Sequence, residues 1–96
     1  MDKGGYVYIL TNRPDGILYV GVTASLHKRM QEHRDGVYEG FSKKYGLKTL
    51  VYWEEFADIR DAIAREKQIK KWNRAWKVGL ILQTNDAWED LYETLD

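Results

Sequence analysis

The sequence predicts an α/β domain of the α+β type: a small three-stranded antiparallel sheet flanked by helices. Two runs rich in aromatic and β-branched residues, Tyr6 to Thr11 and Ile17 to Val22, enclose the turn-forming stretch Asn12-Arg13-Pro14-Asp15-Gly16. A third such run, Leu47 to Phe56, stands further on, with Leu50, Val51, Tyr52 and Trp53 as strong strand formers. Elsewhere apolar residues recur at spacings of three and four, the period of a helix with one buried face.

The first two runs read as a β-hairpin. Side chains alternate across a strand, so Tyr6, Tyr8 and Leu10 share one face of the first strand, and Ile17, Tyr19 and Gly21 share one face of the second. Residues paired across an antiparallel ladder point the same way. Tyr8 and Tyr19 therefore project together only if the loop has an even number of residues or a bulge corrects the register. Ser25 is placed to N-cap a helix through Leu26, Met30 and His33 to Gly36. A loop from Val37 to Gly46 carries Lys43, Lys44 and Tyr45 into the third strand. Asp58 then caps a second long helix, with Asp61 adding a carboxylate near its positive end. Further helical patterns cover about Asn73 to Leu82 and Asp86 to Leu95.

Ninety-six residues with 44% apolar content suit one core. No stretch of about 18 apolar residues could span a bilayer, and no charged-then-apolar leader precedes Tyr6, so the expectation is a soluble, cytoplasmic protein without a membrane partner. With no cysteine, disulfides, thiolate metal sites and cysteine nucleophiles are excluded, and any metal must be held by oxygen or imidazole. The formal charge of zero conceals an asymmetry. All 15 Lys and Arg lie between Lys3 and Lys77, while Asp86, Glu89, Asp90, Glu93 and Asp96 make the tail purely acidic. This divides the chain into a domain over 1–82 and an acidic tail over 83–96, helical and packed on the domain. A basic body suits a polyanion, though Lys- and Arg-rich surfaces are often simply solvated.

Glu66 is the most informative single residue. Ile59, Ala62, Ile63, Glu66 and Ile69 form the inward stripe of the second long helix, so a carboxylate falls on an apolar face. A buried carboxylate needs a counter-charge, a set of donors or a metal, and an ion pair with a nearby Arg or Lys meets that need as well as a metal does. Arg29 and His33 lie four apart on the first helix and can address one ligand. Arg supplies a planar cationic fork for phosphate oxygens, and His can exchange a proton near neutral pH, although the same helix face could merely be solvated.

Taken together, these residues form a known pattern. Tyr6-Val7-Tyr8, then Tyr19-Val20-Gly21 eleven residues after Tyr8, Arg29 ten beyond Tyr19, and the distant Glu66 resemble the signature of the GIY-YIG nucleases. The likeness extends over about residues 5 to 82 and is greatest to short stand-alone bacterial members, related to the nuclease domains of excision-repair and branched-DNA-cleaving enzymes. Tyr6 stands where the first half of the motif has glycine, and valines replace both isoleucines. A late asparagine of many relatives has two possible matches, Asn73 and Asn85.

The resemblance implies a divalent-metal-dependent DNA endonuclease, structure-specific and acting in repair or recombination. In that reading Glu66 binds one Mg2+ or Mn2+, and Arg29 neutralises the scissile phosphate. Tyr19 activates the attacking water, with His33 as the rival base, and Tyr8 orients the water or the phosphate. The alternative is a catalytically weak nucleic-acid-binding or protein-interaction module on the same fold. A protein partner or a homodimer would supply specificity.

The stretch from Lys67 to Lys77 interleaves basic and aromatic residues. Trp72 and Trp76, four apart and continuing toward Leu80, are expected to form a core stripe. Lys70, Lys71, Arg74 and Lys77 can then track a DNA backbone, as can Lys43 and Lys44.

Overall fold

Asn12 and Thr11 build the hairpin turn. The Asn12 carboxamide oxygen accepts the Ile17 N–H at 3.0 Å, and the Thr11 hydroxyl donates to the Arg13 carbonyl at 2.8 Å. In this computed structural model, which describes residues 4–37 and 40–95, the turn joins β1 (Gly5–Thr11) to the antiparallel β2 (Leu18–Thr23). Thr11 pairs with Leu18, so the loop is the even-numbered stretch 12–17, and Tyr8 pairs with Gly21 and Leu10 with Tyr19. The parity required to put Tyr8 and Tyr19 on one face is met. β3 (Thr49–Phe56) pairs with the other side of β1, making β1 central and β2 an edge in the order β2-β1-β3. Ile9 pairs with Tyr52 and Leu10 with Leu50, leaving Val51 as a bulge on β3.

The alternation of β1 divides the apolar residues into two cores. Val7, Ile9 and Val20 pack with Val51, Tyr52, Ala62, Ile69 and Ile81 on one face. Tyr8, Leu10, Leu26, Met30, Leu47 and Leu50 fill the other. Helix α1 (Leu26–Arg34) covers the second face, burying Leu26, Met30 and His33. Ser25 occupies its N-cap position, but its hydroxyl makes no cap bond; instead its N–H donates to the Thr23 hydroxyl at 3.1 Å. The stretch expected to be a plain loop contains a helical turn, α2 (Phe41–Lys44). Burial of Ser42 and Leu47, joined by a 2.9 Å bond from the Leu47 N–H to the Ser42 carbonyl, closes that turn. Tyr38 and Glu39 of the expected loop, and Asp96 of the tail, lie outside the described residues.

Helix α3 (Ile59–Lys70) covers the first face and lies against β1 and β2. A Cβ on Gly5 would come within 3.0 Å of both Ala62 and Ile59, so the close approach of this helix requires a glycine in the strand. Asp58 caps α3 by accepting the Arg60 N–H at 2.9 Å. Ala62, Glu66 and Ile69 are its buried residues, but Ile63 is exposed, which narrows the expected stripe. Helix α4 (Arg74–Thr84) is capped by Asn73, whose side chain accepts from the Trp76 N–H at 2.9 Å. Trp72 and Leu80 pack on the core, whereas Trp76 is 61% exposed, contrary to the expected core stripe. The cause is local: Trp72 precedes the cap residue, whose extended backbone (ψ 169°) interrupts the helical spacing between the two indoles.

After α4 the chain passes from one face of the sheet to the other. Trp88 packs on the first core, while Leu91, Tyr92 and Leu95, in and beside a 3₁₀ turn at Leu91–Thr94, pack on the second. Asn85 holds the crossing. Its amide donates to the carbonyl of the bulged Val51 at 3.1 Å and to that of Glu89 at 2.8 Å, and its oxygen accepts the Glu89 N–H at 2.9 Å. Asn85 and the cap residue Asn73 are thus both occupied structurally. Truncating Asn85 strands the Val51 carbonyl in the interior, so Asn85→Ala is expected to cost about 1–3 kcal/mol, measurable as a lower urea midpoint at unchanged m-value.

Candidate active site

Gly21 is the residue around which the site forms. A Cβ there would meet the Tyr8 ring carbon Cζ and its hydroxyl, each at 2.4 Å. The bare backbone of β2 therefore lets the Tyr8 ring lie flat across the edge strand. Tyr8 itself is 0% exposed and reaches α1, where its hydroxyl sits 3.2 Å from Nε2 of His33. On the other side of that imidazole, the Ser42 hydroxyl lies 3.1 Å from Nδ1. A neutral imidazole offers one donor and one acceptor, so these hydroxyls take opposite roles, one donating and one accepting, and together fix the ring's plane.

Tyr19 completes an aromatic group. Its ring centroid lies 6.3 Å from that of Tyr8 and 6.0 Å from that of His33, and Phe41 stacks beyond it at 6.4 Å. Unlike Tyr8, Tyr19 is partly exposed, and Phe41 is largely so. One helical turn before His33, Arg29 points into a cleft of about 250 Å³ lined by Thr23, Ser25, Lys28 and Glu32 at the start of α1. Its Nε lies 3.5 Å from the Glu32 carboxylate. A larger cleft of about 380 Å³, between Tyr6, Trp53 and His27, adjoins the Arg29 cleft through Ala24 and Ser25.

His33 is 7% exposed, so the solvated alternative for this helix face does not hold for it. Burial, then the nearby Arg29 charge, lower its pKa below 6.5, outweighing the opposing pull of Glu32. Its neutral form is favoured at neutral pH. An imidazole harder to protonate when folded makes the unfolded chain bind more protons, so its contribution to stability is present above pH 6.5 and lost as pH falls through the folded value. NMR titration of the His33 ring should give a midpoint below 6.5, with stability declining from that pH downward, and His33→Asn should flatten the decline.

Glu66 comes from the other layer. Its side chain is 11% exposed and pairs with Lys70 Nζ at 2.7 Å, one turn along α3. The structure therefore gathers Tyr8, Tyr19 and His33 on one face with Arg29 beside them, and holds Glu66 across the sheet, on the helix that lies against edge strand β2. Among the predicted DNA-contacting residues, Lys43 and Lys44 lie on α2 next to Ser42. Lys70 is engaged by Glu66, and Arg74 donates to the Asp15 carbonyl at 2.8 Å and to its carboxylate at 3.1 Å. Lys71, at the C-cap of α3, is exposed. Ser42 and Phe41 were not anticipated. A lone serine nine residues from His33 and an aromatic in a presumed loop give no local signal; only tertiary contact reveals them.

A model of the GIY-YIG catalytic domain matches residues 4–78, from β1 into α4 and including all five candidate catalytic positions. The chain belongs to the GIY-YIG family. Among similar chains is the UPF0213 protein CPE1444 of Clostridium perfringens, 40% identical over 88 residues, 92% of each chain. A UPF0213 protein of Syntrophus aciditrophicus is 42% identical over 79 residues, covering 81% of this chain and 90% of that one. The solution NMR structure of the UPF0213 protein BH0048 of Bacillus halodurans superposes with a TM-score of 0.57 at 28% identity, covering 91% of this chain and 92% of the other. The three-stranded α+β fold is thus shared with a solved relative. Among the described residues, no helix is long and apolar enough to cross a membrane.

Proposed function

We propose that this GIY-YIG domain is a divalent-metal-dependent endonuclease that hydrolyses phosphodiester bonds in DNA. The observation that carries the reading is the hydroxyl–imidazole–hydroxyl chain Tyr8–His33–Ser42, set beside Tyr19 and next to the cleft holding Arg29. A purely structural core has little use for a neutral, doubly hydrogen-bonded histidine packed under a partly exposed tyrosine and arginine.

Tyr19, the partly exposed ring, meets the attacking water and relays its proton: the phenol oxygen accepts the water's proton as its own hydroxyl proton passes to a phosphate oxygen. Tyr8 and Ser42 act through His33 as positioning residues, since Tyr8 is wholly buried and both imidazole nitrogens are engaged. Arg29 and Lys28, in the cleft at the start of α1, hold the phosphate and neutralise charge that develops on its oxygens. Lys43 and Lys44 extend the positive surface for the flanking backbone.

Among the described residues, no group of three or more potential ligands converges, which does not fit a preformed protein cage for a metal. It does fit Mg2+, which keeps several waters and takes one or two carboxylates with substrate phosphate completing its shell. Glu66, buried on α3 with Lys70 as its counter-charge, would be that carboxylate. When bound, such an ion stabilises negative charge on the phosphate and the leaving oxygen.

A panel of labelled duplex, single-stranded, flap and branched DNAs, incubated with Mg2+ or Mn2+ and with chelator, tests this proposal. Cutting of at least one substrate that stops with chelator is the expected result. DNA binding without cutting of any substrate by either ion would replace the enzyme with a binding module.

A further inference from the structure

Helix α4 turns to solvent a groove of about 300 Å³, walled by Trp72 and Trp76 and floored by Ala75, Gly79 and Leu80. Its two indoles stand nearly perpendicular, at 80° with centroids 5.8 Å apart. Trp72 is a fixed wall: it packs on the core, and the Arg65 guanidinium lies 5.2 Å over its ring. Arg65 is itself clamped by Glu54 of β3 through bonds of 3.1 and 3.0 Å. Trp76 is 61% exposed, and no atom lies within 4 Å of where a Gly79 Cβ would stand. The glycine leaves room for a flat group against the Trp76 indole.

The groove itself is uncharged, and positive charge stands at its margins. Exposed Lys71 directly precedes Trp72, and Lys77 follows Trp76 on the next flank of α4, whereas Arg74 is turned away and paired with the hairpin residue Asp15. A partner that offers flat apolar faces along an anionic backbone is a nucleic acid with unpaired bases; in a closed duplex the base faces are already stacked on one another. A protein interface is a poorer match, because a stable one buries about 800 Å² on each side, and its centre is depleted in lysine.

We propose that the Trp72–Trp76 groove is a stacking subsite for one unpaired base of the nucleic acid, with Lys71 and Lys77 on its phosphates. This rests on the reading of DNA as substrate, and narrows it to DNA with a single-stranded stretch. The subsite lies where α3 gives way to α4, one turn of helix beyond the Glu66–Lys70 pair.

Fluorescence anisotropy in chelator, with the full chain, measures affinity for a single-stranded oligonucleotide, the same strand with abasic sites, and a blunt duplex. Trp76→Ala is expected to weaken single-strand binding by about tenfold and duplex binding by less than about twofold, with Trp76→Phe restoring most of the loss. The abasic strand should bind the wild type about as weakly as the intact strand binds Trp76→Ala. Because Trp76 is exposed, the substitution leaves the core in place. Equal losses on all three ligands, no loss on the single strand, or a dimer that becomes monomeric in sedimentation on Trp76→Ala would each overturn the subsite. Binding is read without cleavage, so the two proposals fail separately: Trp76-dependent single-strand affinity in a chain that never cuts removes only the nuclease.

Discussion

Arg29→Ala is expected to lower kcat/KM for metal-dependent cleavage by about 100- to 1,000-fold, the loss typical when one preorganised group facing transition-state charge is removed. The guanidinium sits beside an imidazole that its charge helps keep neutral, and in a cleft shared with Lys28. Its removal should therefore also let the His33 pKa rise toward 6.5, a change visible by NMR without any substrate. Glu66→Gln should abolish cleavage to a similar degree while leaving the fold intact. A glutamine keeps the shape of the side chain, and the ion pair it breaks ends in a Lys70 that is 50% exposed, so its contribution to stability is only about 0–1 kcal/mol. If Glu66 serves only as a partner for Lys70, Glu66→Gln will change the urea midpoint slightly and cleavage not at all. That outcome would remove Glu66 from the reaction, and undiminished cutting by Arg29→Ala would remove Arg29.

Much of this architecture was legible because it depends on local periodicity. The alternation of Tyr6 to Thr11 and Ile17 to Val22 specified a hairpin but left its register open: the turn Asn12 to Gly16 is odd in length, and Ile17 joins the loop to give the even stretch 12–17 that puts Tyr8 and Tyr19 on one face. Asp58 marked the start of α3, and helical spacing brought Glu66 onto its buried side. The expectations that failed did so where a boundary or a distant contact governs. Trp72 and Trp76 are four apart in sequence, but Asn73 starts the helix between them, so one indole enters the core and the other faces solvent. Ile63 lies on the margin of the buried arc, where periodicity does not distinguish a covered residue from an exposed one. Helix α2 and the Ser42–His33 bond depend on contact with α1, and no pattern within 41–44 announces them. The candidate residues were legible as a set at characteristic distances; their division between the two faces of the sheet was not, because a spacing in sequence says nothing about the layer in which a helix packs.

Gly21→Ala should damage both stability and catalysis through a single methyl group. The added carbon would lie 2.4 Å from two atoms of Tyr8, a ring that is 0% exposed and packed against Leu10, Leu26 and Met30, so neither partner can yield freely. Overpacking of this kind costs about 1–3 kcal/mol. It also displaces the hydroxyl that holds His33 at 3.2 Å, so cleavage should fall further than the loss of folded protein explains. A double-mutant cycle separates the two effects. Tyr8→Leu empties the space that the new methyl group would invade, so in the Gly21→Ala/Tyr8→Leu pair the stability losses should sum to less than their separate values, with a coupling of about 1 kcal/mol or more. Cleavage, by contrast, should stay low in the double variant, because leucine relieves the clash without replacing the hydroxyl. Additive stability losses would mean that the strand edge relaxes away from Tyr8, and recovery of cleavage in the double variant would show that the Tyr8 hydroxyl does not position His33. The glycine of the second motif half would then be a packing device alone, and Tyr19 with Arg29 would have to supply the chemistry without the buried chain behind them.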